Sequence, residues 1–129
     1  MDTVILYVLD RISAMESLTY LCNDIKARED ANHQLFFKRM MFGGYHIFKG
    51  NPETKDMGDR EIIIFPADKP DKLEKLNAGK NILVCKNCNW VVGAGKSSVK
   101  IRKLLIDWLL GFDVSFDNDH ITENGPPNS

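Results

Sequence analysis

The stretch Glu61-Ile-Ile-Ile-Phe65, closed by Pro66, constrains the fold more than any other part of the chain. Consecutive β-branched side chains favour extended backbone, and side chains alternate across a strand, so a run that is apolar at successive positions has no polar face to give to water. Such a strand suits a sheet covered on both sides, as in parallel sheets flanked by helices. Asn81-Ile-Leu-Val-Cys85 is a second run of this kind, and Tyr45-His-Ile-Phe48 reads as a further strand.

Helical signals alternate with these runs. Met15, Leu18, Leu21, Cys22 and Ile25 recur at helical spacing, and Ser13 with Glu16 matches a Ser-x-x-Glu capping box, which predicts a helix over 14–27. A rival parse makes Leu18-Thr-Tyr-Leu-Cys22 a short buried strand, because a brief apolar run has no decisive period. Leu35, Phe36, Met40 and Met41 lie at helical separations with Lys38 and Arg39 outward, and Gly43-Gly44 then reads as the stop. Asn51 to Arg60 reads as a polar loop, and Asp68 to Asn77 as a two-turn helix. Ser97 or Ser98 opens a last helix whose apolar stripe is Ile101, Leu104, Leu105, Trp108 and Leu109, with Gly111 as its end. The tail from Asp117 to Ser129 carries little apolar surface to offset the entropy of ordering and is expected to be flexible. Alternating strands and helices imply an α/β sandwich with a small parallel sheet.

Length and charge limit the functions open to such a chain. Its 129 residues suit one domain with one core. The 17 basic and 18 acidic residues nearly cancel, so DNA contact is open to the chain but not implied by its net charge. The apolar run Val4 to Leu9 is far shorter than the ~18 residues that span a bilayer, so no membrane role is expected. Three cysteines, Cys22, Cys85 and Cys88, are an odd number in a chain that opens without a secretory pattern, which favours a reducing, intracellular setting.

Several motifs invite chemistry. Val-Val-Gly-Ala-Gly-Lys-Ser-Ser resembles a phosphate-cradling loop, yet Trp90 stands where that loop needs its first glycine. A turn before a helix start is the better reading. Cys85-x-x-Cys88 has the spacing of half a zinc site, to be completed by Cys22 and one of His33, His46 or His120; buried cysteines at a strand end are the plainer account. Asn87-Cys88 with His46 resembles, faintly, thiol-dependent acyltransferases, whose nucleophile needs a lowered thiol pKa and a nearby base. Lys69, Lys72 and Lys75 follow the Ile-rich strand, either as a solvated face beside Asp71 and Glu74 or as a phosphate contact.

In their order along the chain, these signals resemble a BRCT domain, an interaction module of DNA repair and checkpoint proteins. The matching pieces are LTYLC at 18–22, a helix ending MMFGGYHIF at 40–48, EIIIF at 61–65, DKLEKLNAGK at 71–80, NILVC at 81–85 and NWVV at 89–92. The FGGY wording and the loop after it resemble, more weakly, the BRCT repeats of the ATP-dependent ligase that joins double-strand breaks. The resemblance implies four parallel strands flanked by helices over 17–95, with Gly43, Gly44 and Trp90 as structural positions. It leaves 1–16 as an N-terminal extension, 96–116 as an extra amphipathic helix and 117–129 as a tail.

The resemblance also implies a nuclear, non-enzymatic domain without cofactor or bound metal, docking a protein partner in DNA damage repair or signalling. Family members that bind phosphopeptides use a hydroxyl and a glycine after the first strand and a lysine on the second helix. Here Cys22-Asn23-Asp24 replaces the former, so a phosphate contact would fall to Asn23 and Lys72, with Asp24 repelling it. The stripe Ile101, Leu104, Leu105, Trp108 and Leu109 would pack on the domain, on a second copy in a homodimer, or on a partner.

Overall fold

The structure, a computed structural model, describes residues 2–28, 35–39, 43–50, 60–66, 81–85, 88, 91–116 and 121–123. Its elements are β1 (Asp2–Val8), α1 (Arg11–Lys26), β2 (Leu35–Arg39), β3 (Tyr45–Lys49), β4 (Arg60–Pro66), β5 (Asn81–Cys85), α2 (Lys96–Leu109) and β6 (Ile121–Glu123). The strands form one six-stranded sheet in the order β2-β3-β4-β1-β5-β6. The class is α/β as expected, but the sheet is mixed. Only β4, β1 and β5 run parallel; β2 and β3 on one side and β6 on the other are antiparallel to their neighbours.

The centre is built as its sequence predicts. β1 and β4 pair from Asp2 opposite Arg60 to Val8 opposite Pro66. Val4, Leu6, Val8, Ile62 and Ile64 therefore share the face under α1 and α2, where they join Ala14, Leu18, Leu21, Leu105, Ile106 and Leu109 in the core. Ile5, Tyr7, Ile63 and Phe65 point to the opposite face and are also buried, so both faces of the central pair are covered. Residues 1–16 are consequently no extension: β1 is one of the two central strands, and its run of apolar residues is buried for that reason.

α1 begins earlier than the capping box suggests. Asp10, not Ser13, is the N-cap, its Oδ1 accepting the Ser13 N–H at 2.8 Å. The strand parse of Leu18 to Cys22 is overturned, since these residues lie within α1 with Leu18 and Leu21 facing the sheet. The helix expected to end at Gly43-Gly44 is replaced by the antiparallel pair β2 and β3, with Arg39 opposite Tyr45. Leu-Phe-Phe is as suited to a strand as to a helix, and pairing with β3 decides it.

The double glycine is therefore a hairpin joint. Gly43 has φ +82°, the left-handed region that favours glycine. At Gly44 a Cβ would stand 2.5 Å from the Ile64 carbonyl oxygen, so the backbone of the hairpin passes too close to β4 for a side chain. Among the described residues, the parallel sheet and the glycine helix stop that the BRCT resemblance implies give way to a mixed sheet and a hairpin. The C-terminal tail is corrected as well: Ile121 to Glu123 form β6, paired with β5.

α2 starts at the predicted place, but its N-cap is Gly95 with no side-chain cap, so neither serine serves. Its end is a Schellman arrangement, with Gly111 N–H donating to Trp108 O, Phe112 N–H to Asp107 O, and Gly111 at φ +104°. Arg60 Nη1 donates to the Trp108 and Phe112 carbonyls at 2.6 and 3.0 Å, and Lys49 Nζ to Leu110 O at 3.3 Å. Cations from β3 and β4 thus meet the negative end of the helix and fix it against the sheet.

Candidate functional site

The chain leaves β1 for α1 and the β2–β3 hairpin, reaches β4 on one side of β1, and returns to β5 on the other. The carboxyl ends of β1 and β5 thus flank a switch point, where ligand crevices open in α/β sheets. In this chain that point is closed. Cys88 N–H donates to Tyr7 O at 2.9 Å, and a disulfide joins Cys85 to Cys88, both fully buried. Cys88 O accepts the Val91 N–H at 3.1 Å, which turns the chain toward α2.

The segment so held carries the acceptors for Arg102, a guanidinium only 2% exposed. Arg102 Nη1 donates to Val91 O at 3.1 Å and Gly93 O at 2.7 Å, while Nε donates to Asp24 Oδ2 at 2.5 Å. Its plane lies over the Tyr20 ring, 4.7 Å from the centroid. A buried guanidinium is tolerated because its fork is satisfied by a carboxylate, two carbonyls and an aromatic face. A second pair, Arg28 with Asp107, ties the same end of α1 to α2.

A different polar group lies on the opposite face of the sheet. Glu61, 1% exposed, accepts the Thr3 hydroxyl at 2.8 Å, and its other oxygen lies 2.5 Å from His46 Nε2. The imidazole nitrogen is out of line for a hydrogen bond there. Thr3, Glu61 and His46 stand on the neighbouring strands β1, β4 and β3, and the cluster reads as a polar bridge across them.

The open edge of the sheet is different in kind. Among the described residues β2 pairs only with β3, leaving its other side unpaired. Phe37 is 58% exposed on this strand, beside exposed Lys38 and Arg39. A groove of about 440 Å³ runs between β2 and the last turns of α1, lined by Cys22, Ile25, Lys26, Leu35, Phe37 and Ile47. Burial pushes the Cys22 thiol pKa up, with Lys26 acting the other way.

Several residues singled out in the sequence fall elsewhere. Leu105, Trp108 and Leu109 are core residues and Ile101 and Leu104 are half-buried, so the α2 stripe packs mainly on its own domain rather than standing open to a partner. Trp108 is held by the Arg60 guanidinium at 5.2 Å and edge-on by Phe116 at 6.1 Å. Asn23 is exposed on α1, next to an Asp24 engaged with Arg102; Lys72 and Trp90 lie outside the described residues. His46 and the cysteine pair are separated by β4 and β1, which at strand spacing is about 14 Å, and Cys88 is disulfide-bonded. That arrangement contradicts a thiol catalyst made from the two.

Among the described residues, no group of three or more His, Cys, Asp or Glu side chains could hold a metal ion, and no helix is long and apolar enough to cross a membrane. Sequence reasoning missed the β2 edge because it took Phe37 for part of a helix. The signal was present in Leu35-Phe-Phe37 followed by two cations, the way natural edge strands are marked. Compared with protein-family models, with curated proteins and with solved structures, the chain has no match in any of the three.

Proposed function

We propose that this chain is a non-catalytic protein-docking domain that receives an extended segment of a partner along β2. The observation that carries the reading is the edge of β2, unpaired among the described residues, with Phe37 exposed beside an apolar groove. An open edge offers backbone N–H and C=O groups in register for an added strand, and pockets beside it select alternate side chains. Lys26, Lys38 and Arg39 rim the surface, all exposed. The matching segment alternates aliphatic or aromatic residues with Asp or Glu. Cations on an edge also deter pairing with a second copy, which favours a different protein as occupant. The interaction role implied by the BRCT resemblance is kept and moves from α2 to β2; a place in DNA repair and in the nucleus belongs to the resemblance alone.

Selection of a displayed random-peptide library against the full chain tests this. Enriched peptides should alternate apolar and acidic residues, and Phe37→Ala should weaken their binding about thirtyfold, as truncation of a central aromatic anchor does. Peptides whose binding ignores Phe37→Ala would refute the reading. A stable dimer that Phe37→Ala dissolves would instead make a second copy the occupant.

A further inference from the structure

The Cys85–Cys88 disulfide encloses only two residues, so it restrains the unfolded chain much less than a long-range cross-link does. Its effect is local, and its locality has a direction. The disulfide and the Cys88 N–H to Tyr7 bond fasten the chain beyond β5 to the end of β1. Cys88 O then holds Val91, and the Val91 and Gly93 carbonyls hold Arg102, which holds Asp24 on α1. A covalent bond at the switch point therefore ends, three steps later, at the packing of α1 on α2. Cys-x-x-Cys spacing beside parallel strands is also that of pairs that interconvert between dithiol and disulfide.

We propose that Cys85 and Cys88 are a reversible redox site, and that the disulfide form fastens Cys88, Val91 and Gly93 and, through Arg102, the end of α1. Oxidation requires a low-molecular-weight disulfide of the glutathione class. One cysteine thiolate attacks it, forming a mixed disulfide and expelling one small thiolate, which takes up a proton. The second cysteine loses its proton to solvent and attacks the protein sulfur of the mixed disulfide, forming the Cys85–Cys88 bond and expelling the second small thiolate. Two protein thiols lose two electrons, and one small disulfide becomes two thiols. Reduction runs the same steps backward. Both sulfurs are buried, so each direction passes through local opening at Cys88. The switch stands whether or not β2 receives a partner.

The test equilibrates the full chain at graded ratios of reduced to oxidised glutathione, quenches with an alkylating reagent and counts labels by intact mass. Two cysteines should become protected together within the range of ratios, leaving Cys22 as the third, labelled site. Hydrogen exchange at Cys88 and Val91 and in the last turn of α1 should be at least about tenfold faster in the reduced form. Cys88→Ser should show the fast pattern at every ratio. If that variant does not fold, the wild-type titration still decides. A pair labelled at every ratio, a disulfide that resists reduction until the chain is denatured, or equal exchange in the two forms would each overturn the proposal. So would one zinc per chain retained by the reduced protein.

Discussion

β4 and β2 are both short strands rich in large apolar side chains, yet they end in opposite situations. From Glu61 to Pro66 each residue of β4 is buried, with parallel β1 on one side, antiparallel β3 on the other and both faces covered. In β2 no residue is fully buried, and one side of the strand is unpaired among the described residues. The difference follows from position in the sheet rather than from composition. A central strand uses its backbone and both faces for the fold, whereas an edge strand keeps hydrogen-bonding groups and a side chain such as Phe37 available for something else.

The widest separation between the two strands should come from truncating each. Ile64→Ala removes a wholly buried side chain from the face under the helices and should cost about 4 kcal/mol in urea denaturation. Phe37→Ala should change stability by no more than about 0.5 kcal/mol while removing peptide binding. A large loss of stability from Phe37→Ala would mean that β2 is built into the core after all.

Next in size is the clasp between α1 and α2. Arg102→Ala leaves the Val91 and Gly93 carbonyls without their donor and Asp24 without its cation. Asp24 is 29% exposed, so water relieves part of the loss, and a cost of about 2–3 kcal/mol is expected by the same measurement. An effect near zero would show that the clasp is incidental, and the centre of the sheet alone holds the helices.

The hairpin joint comes third. Gly44→Ala sets a Cβ against the Ile64 carbonyl oxygen of β4, a backbone atom that cannot turn aside, and should cost about 2 kcal/mol. Gly43→Ala meets mainly the Arg11 side chain, which can move, but its φ of +82° penalises any L-residue there. If Gly44→Ala leaves both the stability and the β3–β4 pairing intact, the hairpin is looser than the register implies.

How much of this was legible in the sequence follows the same division. Ile62, Ile63 and Ile64 announced a strand covered on both faces because three successive β-branched side chains favour extended backbone and leave no polar face for water. Tyr45 to Phe48 and Ile82 to Cys85 were legible for similar reasons. The direction of β2, β3 and β6 was not, since pairing sense depends on which strands meet, a long-range property that a local period does not carry. Val4 to Leu9 was read as lying outside the domain although it has the same continuous apolar character as β4, and weighing it equally would have found the central strand. The α2 stripe was visible as apolar but not as covered. Arg102 was invisible as a buried group because the residues that satisfy it, Asp24 and two backbone carbonyls, are contributed by other parts of the chain.

The smallest effect is expected where the covered centre passes into the exposed start of α1. The Ser13 N–H bonded to Asp10, with help from the Ser13 hydroxyl, holds the Asp10 carboxyl below its ordinary pKa. A folded-state pKa that is depressed adds stability above the unfolded value, near pH 4, and that stability is lost as pH falls through the folded value. Asp10→Asn keeps a side-chain oxygen for the cap but cannot titrate. Wild type should therefore be slightly the more stable near pH 7, and the gap should close below pH 4 in unfolding midpoints measured side by side. Every other carboxyl is common to the two proteins and cancels from the difference. A gap that persists unchanged at pH 3 would mean that the carboxylate is not what caps α1, and that the helix start is fixed by packing against the sheet alone.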